Sequence, residues 1–302
     1  MADNSIILGI DVGYSHTKTV SSKGEDVFRS TVREGVIDIN PNSTVIEFEG
    51  KEYTMGERGR ITVDSNKIYD KNFELCLLTA ILRNADDRLT TINVDLVTGL
   101  PVSYYKTQKD ELKKSLMNKR VTMGYNGKDR TINIKDVIVF PQSAGLPLIN
   151  PKDFEEGKTN LVIDIGGITV DVSYFEGRKL TKFKSYQLGM IKFYSMVAGE
   201  IANEFNVEVS NEDVERFIEQ NGVMINEESR KFDFDSLFEQ HMDEILTKIK
   251  TDFPYDIVHK KNFIGGGSIR FKDFLPKNKG VNTDEVLTNA NAFYAVGVQK
   301  FG

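Results

Sequence analysis

Short apolar runs and amphipathic stretches alternate along this chain. Residues 6–10 form an apolar run closed by Asp11 and Gly13, the signature of a buried strand. Strand patterns continue over 17–21 and 27–32, with Lys23 and Gly24 as the turn. Residues 44–48 and 52–55 alternate around Gly50 and predict a hairpin. Residues 73–84 repeat Phe73, Leu77, Leu78, Ile81 and Leu82 at helical spacing. A buried strand over 92–98 ends in Gly-Leu-Pro, and a charged helix follows over 107–117. Residues 121–125 and 130–134 flank Asn126-Gly127, a strong hairpin signal, and 137–140 reads as a further strand.

The second half follows the same scheme. Strands are predicted over 161–164, 170–175 and 179–186, then helices over 190–205, 212–220 and 234–250. The last helix has an apolar face of Leu237, Phe238, Met242, Ile245, Leu246 and Ile249. Residues 262–271 read as strand, glycine turn and helix start, and 289–300 as a closing helix. Aligning the openings of the two halves places Asp11-Val12-Gly13 on Asp164-Ile165-Gly166, an offset of 153 residues that also sets Lys18 on Asp171. A strand–turn–strand unit repeated once per half predicts two lobes of related architecture.

Composition narrows the function classes. At 302 residues the chain can bury a sizeable core without staples. Its single cysteine, Cys76, excludes an intramolecular disulfide and a cysteine-based zinc site, and suits a reducing cytoplasm. Cys76 falls on the 73–84 helix and is expected in the core. The net charge of −6, with both signs interspersed, argues against direct nucleic-acid binding. No signal peptide and no run long enough to span a bilayer are evident, so neither membrane nor export is expected.

The candidate chemistry lies at the glycine bends. Glycine removes the Cβ that would keep backbone N–H groups from a ligand, and successive N–H groups make an anion-binding concavity. Phosphate is the expected guest. Asp11 and Asp164 would both approach it, and Mg²⁺, which bridges carboxylates to phosphate oxygens, would resolve their repulsion. Lys18 supplies a compensating positive charge. Gln142, leaving the sheet after Pro141, can orient a water for in-line attack but is no strong base, so hydrolysis should be slow. Gly265, Gly266 and Gly267, before Ser268, let a nucleoside lie against the backbone. Each of these residues alone could be a mere turn or cap; the repeated pair with Lys18 and the glycines favours a site.

These elements in this order resemble the actin-like ATPase superfamily, which includes actin, the sugar kinases and the seventy-kilodalton heat-shock chaperones. The resemblance rests on GIDVGYSHTK, VFPQSAG, VIDIGGITVDV, FIGGGSIRF and ANAFYAVGVQKF, and spans nearly the whole chain. Within it, DVGYSHTK and PQSAG are most similar to the bacterial ParM-like plasmid-segregation proteins and their archaeal actin-like relatives. The resemblance implies an α/β actin-like fold of two lobes, each with a ribonuclease-H-like mixed sheet and a small insertion. Lobe one is expected over 1–150 with an insertion at about 30–88. Lobe two is expected over 151–302 with an insertion at about 201–259, and the closing helix at about 289–300 crosses back to lobe one.

By the same resemblance, Asp11 and Asp164 organise Mg²⁺ through waters. Gly13, Tyr14, Ser15, His16, Thr17, Lys18, Gly166, Gly167, Ile168 and Thr169 grip the phosphates of ATP or GTP. Gln142 positions the attacking water. Gly265, Gly266, Gly267 and Ser268 wall the nucleoside pocket, and Gly189 touches the ribose. The implied function is a cytoplasmic nucleotidase that forms head-to-tail filaments with itself and segregates plasmid DNA through a DNA-binding adaptor of the ParR type. Two alternatives stay open. A small-molecule kinase on this fold would use Asp171 as base. A scaffold or chaperone would lack DNA cargo, and a chaperone would need a substrate-binding extension that is not expected here.

Overall fold

The structure is a computed structural model and describes residues 5–36, 43–57, 60–61, 67–277, 281–283 and 286–302. The chain divides into two compact units, Met1–Glu155 with Leu287–Gly302, and Glu156–Val286. In chain order the first unit contains β1 (Ile6–Val12), β2 (His16–Ser21), β3 (Gly24–Arg29), β4 (Thr31–Glu34), β5 (Thr44–Phe48), β6 (Lys51–Met55), β7 (Arg60–Ile61), α1 (Lys71–Asn84), β8 (Thr91–Leu100), α2 (Val102–Leu116), β9 (Arg120–Tyr125), β10 (Lys128–Pro141) and α3 (Leu146–Ile149). The second contains β11 (Thr159–Ile165), β12 (Val170–Glu176), β13 (Lys179–Tyr186), α4 (Met190–Phe205), α5 (Asn211–Gln220), β14 (Val223–Ile225), β15 (Glu228–Arg230), α6 (Phe234–Asp252), β16 (Lys260–Ile264), α7 (Gly265–Arg270) and β17 (Val281–Thr283). Helix α8 (Thr288–Phe301) belongs to the first unit.

The first unit is built on one sheet of order β3-β2-β1-β8-β10-β9-β5-β6-β4-β7. Strands β1, β8 and β10 run parallel; β2 folds back antiparallel to β1, and β3 antiparallel to β2. Alternation along β1 sends Leu8, Ile10 and Val12 into a core shared with α1, whose Leu75, Cys76, Leu77 and Leu78 are fully buried. Gly9 and Asp11 therefore face the other way. There α8 lies so close that a Cβ on Gly9 would sit 2.4 Å from the Tyr294 backbone nitrogen, and one on Gly297 would sit 2.6 Å from Ile7 Cγ2. The closing helix is thus seated on β1 through glycines on both partners.

The second unit repeats the arrangement on a smaller scale, in the order β13-β12-β11-β16-β17. β11 runs antiparallel to β12 and parallel to β16, as β1 does to β2 and β8. Helices α4 and α6 cover it through an aromatic cluster of Phe193, Phe238, Phe271 and His241.

Several sequence expectations need correction. The stretches 130–134 and 137–140 are one strand, β10, with a bulge between Ile134 and Asp136. The buried residues shift from Ile132 and Ile134 to Val137 and Val139, and the extra residue keeps both pairs facing the core. The stretch 27–32 is two strands that change partners at Ser30: β3 pairs with β2, and β4 with β6. Helix α2 starts at Val102 rather than 107, because the Pro101 carbonyl accepts from the N–H groups of Tyr104 and Tyr105 without a side-chain cap. The strands of the stretch expected as an insertion at about 30–88 join the first sheet through the β5–β9 pairing; residues 37–42, 58–59 and 62–66 of that stretch lie outside the described residues. Among the described residues no helix is long and apolar enough to cross a membrane.

Candidate functional site

The β1–β2 and β11–β12 connections are built alike. In the first, Asp11 stands opposite Lys18 and Val12 opposite Thr17; in the second, Asp164 opposite Asp171 and Ile165 opposite Val170. The Gly13 N–H donates to the His16 carbonyl at 3.1 Å, and the Gly166 N–H donates to the Thr169 carbonyl at 2.9 Å. A Cβ would meet that same carbonyl oxygen at 2.9 Å in one hairpin and 3.1 Å in the other. Glycine relieves the same crowding at both bends, more severe at Gly13 than at Gly166.

In the first unit Asp11 is 2% exposed at the end of β1. The Gln142 side-chain amide donates to its Oδ1 at 2.5 Å, and Lys18 Nζ lies 3.5 Å from its Oδ2. Gln142 is held from both sides. Its own N–H donates to the Leu100 carbonyl at the end of β8, and the next residue, Ser143, donates its N–H to Asn289 Oδ1 at the start of α8. Ser143 has φ +62°, so the chain turns sharply after Pro141. Gly99 clears the space: a Cβ there would reach Phe293 at 2.2 Å and Gln142 Cγ at 3.2 Å. The structure thereby brings together Asp11 of β1, Lys18 of β2 and Gln142 of the turn after β10.

Not every residue of the first loop can use its side chain on a ligand. Thr17 is fully buried and shares a hydrogen bond with the Ser30 hydroxyl at 2.9 Å, so its side chain belongs to the core. Tyr14 is also buried, while Gly13, Ser15, His16 and Lys18 are half-buried. Burial pushes the nearby Cys76 thiol up to about 12, which removes it as a nucleophile.

In the second unit Asp164 and Asp171 are both buried side by side across the β11–β12 pair. Asp171 accepts from the Thr169 hydroxyl at 3.0 Å and from the Ser185 hydroxyl. Both of its oxygens are thus held by neighbouring hydroxyls, which argues against Asp171 as a general base and against the kinase alternative. Helix α4 rests on the loop: the N–H groups of Gly189, Met190 and Ile191 donate to the carbonyls of Ile168, Gly166 and Gly167. A Cβ at Gly189 would lie 2.4 Å from the Ile168 carbonyl carbon, so this glycine buttresses the loop.

The three glycines of α7 divide by role. Gly265, at φ +83°, would place a Cβ 2.2 Å from Asp164 Oδ1, and Gly267 would place one 2.3 Å from Ile165 Cγ2. Both let α7 pack against β11 beside Asp164. Only around Gly266 is there open space within 4 Å of an added Cβ. Ser268 is fully buried and its hydroxyl donates to the Gly265 carbonyl at 2.8 Å, so its side chain is used within the first turn of α7. Sequence reading missed Gly99, Ser185 and Asn289. Their contacts join residues far apart in the chain, and no local pattern signals them.

Two family profiles match the chain in succession: "Actin like proteins N terminal domain" over residues 9–145, and "Archaeal actin homologue MreB-like, C-terminal" over residues 162–277. An archaeal actin homolog from Thermoplasma acidophilum is 28% identical over 184 residues, 55% of this chain and 56% of that protein, so the match spans about half of that curated relative. The crystal structure of an archaeal actin homolog in complex with ADP superposes with a TM-score of 0.81 at 21% identity, covering 98% of this chain and 100% of the other. A 15-stranded ParM filament from Clostridium botulinum gives a TM-score of 0.82 at 19% identity, covering 98% and 99%. Likenesses at this level of identity establish a shared fold.

Proposed function

Because this chain belongs to the actin-like superfamily and has its fold, we propose that it binds and hydrolyses a nucleoside triphosphate, ATP or GTP, and that the nucleotide state governs assembly of its copies into a filament. The pair of equivalent glycine-bent hairpins, each with a buried aspartate at its first strand end, carries this reading. Under it, the backbone of Gly13–Lys18 and of Gly166–Thr169 serves phosphate oxygens, Lys18 adds a positive charge, and Gly266 faces the nucleoside.

Asp11 and Asp164 would hold Mg²⁺ through waters. The donor set fits such an ion. Asp11 already receives the Gln142 amide and neighbours Lys18, so a water-mediated hold leaves those contacts intact. When bound, the ion would offset phosphate charge. Gln142, fixed by Asp11 and Leu100, orients the attacking water with its remaining carbonyl oxygen and leaves proton removal inefficient, so turnover is slow.

The filament would move or position plasmid DNA in the cytoplasm through a DNA-binding adaptor. The test mixes the protein with Mg-ATP or Mg-GTP and follows light scattering, pelleting and phosphate release together. Nucleotide-dependent polymer is expected. Gln142→Ala and Asp164→Ala should each slow phosphate release by about a hundredfold and prolong the polymer, the range for loss of one positioned group. Unchanged release in both variants would remove these residues from the chemistry.

A further inference from the structure

Charge is unevenly spread along this chain. Residues 199–244 hold fourteen acidic and three basic side chains, net −11, against −6 for the whole, so the remainder is net +5. Two helices in the acidic stretch break the usual rule for exposed helix faces, where opposite charges are set four residues apart. Glu200 and Glu204 on α4, and Glu239 and Asp243 on α6, are exposed like-charged pairs at that spacing. None of the four forms an ion pair with a described residue. Between these helices lies a cavity of about 350 Å³ lined by Glu200, Glu204, Asp233 and Ser236, with Phe232 and Leu237 as its apolar wall. Carboxylates around an apolar wall match a long basic side chain, whose stem is apolar and whose tip is charged.

The first unit offers the complement. On α2, Lys106, Lys109 and Lys113 recur at helical spacing, and Lys114 adjoins them. Lys109 and Lys113 are again like-charged four apart. Lys106 and Lys114 are exposed, and Lys109 lies along the Tyr105 ring, 5.3 Å from its centroid. Lys113 forms a loose, solvent-exposed ion pair with Asp136 at 4.0 Å, of a kind that contributes little. Asp110 lies four residues from both Lys106 and Lys114, so α2 is not uniformly basic, yet its Lys109–Lys113 pair and the Glu200–Glu204 and Glu239–Asp243 pairs put opposite signs on helices of the two units, a complement suited to association.

We infer that the α4–α6 acidic face of one copy docks the α2 lysine stripe of a second copy of this chain, a lysine entering the Phe232–Leu237 cavity. The inference rests on the self-assembly reading above. The two faces are unlike, so under the self-assembly reading the contact is heterologous, each copy offering one acidic and one basic face. Pairing of two acidic faces is suppressed by like charge, which fixes the polarity of growth.

Two charge-reversed proteins test this. One carries Lys109→Glu and Lys113→Glu; the other carries Glu200→Lys and Glu204→Lys. Each alone should need at least about tenfold more protein to pellet with nucleotide than the unmodified chain. An equimolar mixture should pellet again as an alternating copolymer, since every junction in it regains opposite charges; this also shows both variants folded. If the unmodified chain pellets and either variant pellets equally well, or if the mixture stays soluble, the docking assignment is overturned while the filament reading stands. If the unmodified chain pellets with no nucleotide tried, the filament reading itself fails and the docking assignment falls with it.

Discussion

Gly265→Ala asks whether the glycines of α7 exist for packing or for ligand. At φ +83° an alanine bears about 1–2 kcal/mol of left-handed strain. Its Cβ would also sit 2.2 Å from Asp164 Oδ1 and 2.8 Å from the Ile165 carbonyl oxygen. The first is the tip of a side chain and can shift; the second is backbone of β11 and cannot without moving the strand. Overpacking of that kind costs about 1–3 kcal/mol. The sum, about 2–5 kcal/mol, predicts a fall in melting temperature of about 3–8 °C for a chain of this size. Gly266→Ala is the internal control. It meets nothing within 4 Å and lies within α7, where alanine is favoured over glycine by up to about 1 kcal/mol. Its melting temperature should stay or rise, while nucleotide affinity falls. The measurements are thermal unfolding by circular dichroism without nucleotide, and nucleotide titration by calorimetry. A Gly265→Ala protein that melts within 2 °C of the parent would refute the packing argument, and full affinity in Gly266→Ala would take that residue out of the nucleoside pocket.

Two further predictions follow from buried groups. With its thiol near 12, Cys76 is thiolate in about one molecule in 10⁴ at pH 8, so alkylation of the native protein should track global unfolding; labelling at the speed of a free thiol in native buffer would contradict its placement. His241 is held below its usual range, first by desolvation, with its Nε2 2.9 Å from the Leu188 carbonyl oxygen. Its unfolded form takes up a proton at higher pH than its folded form, so its contribution to stability is complete above about pH 6.5 and declines as pH falls below that. His241→Phe should therefore flatten the acid-side loss of melting temperature between pH 7.5 and 5.5 relative to the parent, and an identical slope would reject the assignment.

The elements that carry the site were readable because their signals are local. Asp11 and Asp164 stand where apolar runs stop at glycine, and Asn126-Gly127 marks its hairpin without help from the rest of the molecule. What escaped reading was set by long-range contact. The β10 bulge is recorded only as a slip in alternation between Ile134 and Val137, which reads equally well as a strand break. Gly9, Gly99 and Gly145 look like ordinary strand or turn glycines until α8 is placed on them; a Cβ at Gly145 would be 2.3 Å from Ala292 Cβ. The triad of glycines before Ser268 was legible as special, but its division into two packing residues and one open residue depends on where β11 lies.

The repeat is most informative where its halves differ. The bends superpose in hydrogen bond and in steric need, yet the residue opposite the aspartate is Lys18 in one hairpin and Asp171 in the other. A lysine opposite Asp11 leaves that strand end near neutral and fixes the carboxylate by an ion pair together with the Gln142 amide. A second carboxylate opposite Asp164 leaves that strand end with two acids, one of them, Asp171, tied down by the hydroxyls of Thr169 and Ser185. The first environment tolerates an anion better than the second, whose two carboxylates favour a cation. Under the proposed reading, one backbone geometry present twice serves phosphate oxygens in both hairpins, and the difference in charge at equivalent positions puts the compensating positive charge at the hairpin of Lys18 and the greater carboxylate density toward the hydrated metal at the hairpin of Asp171.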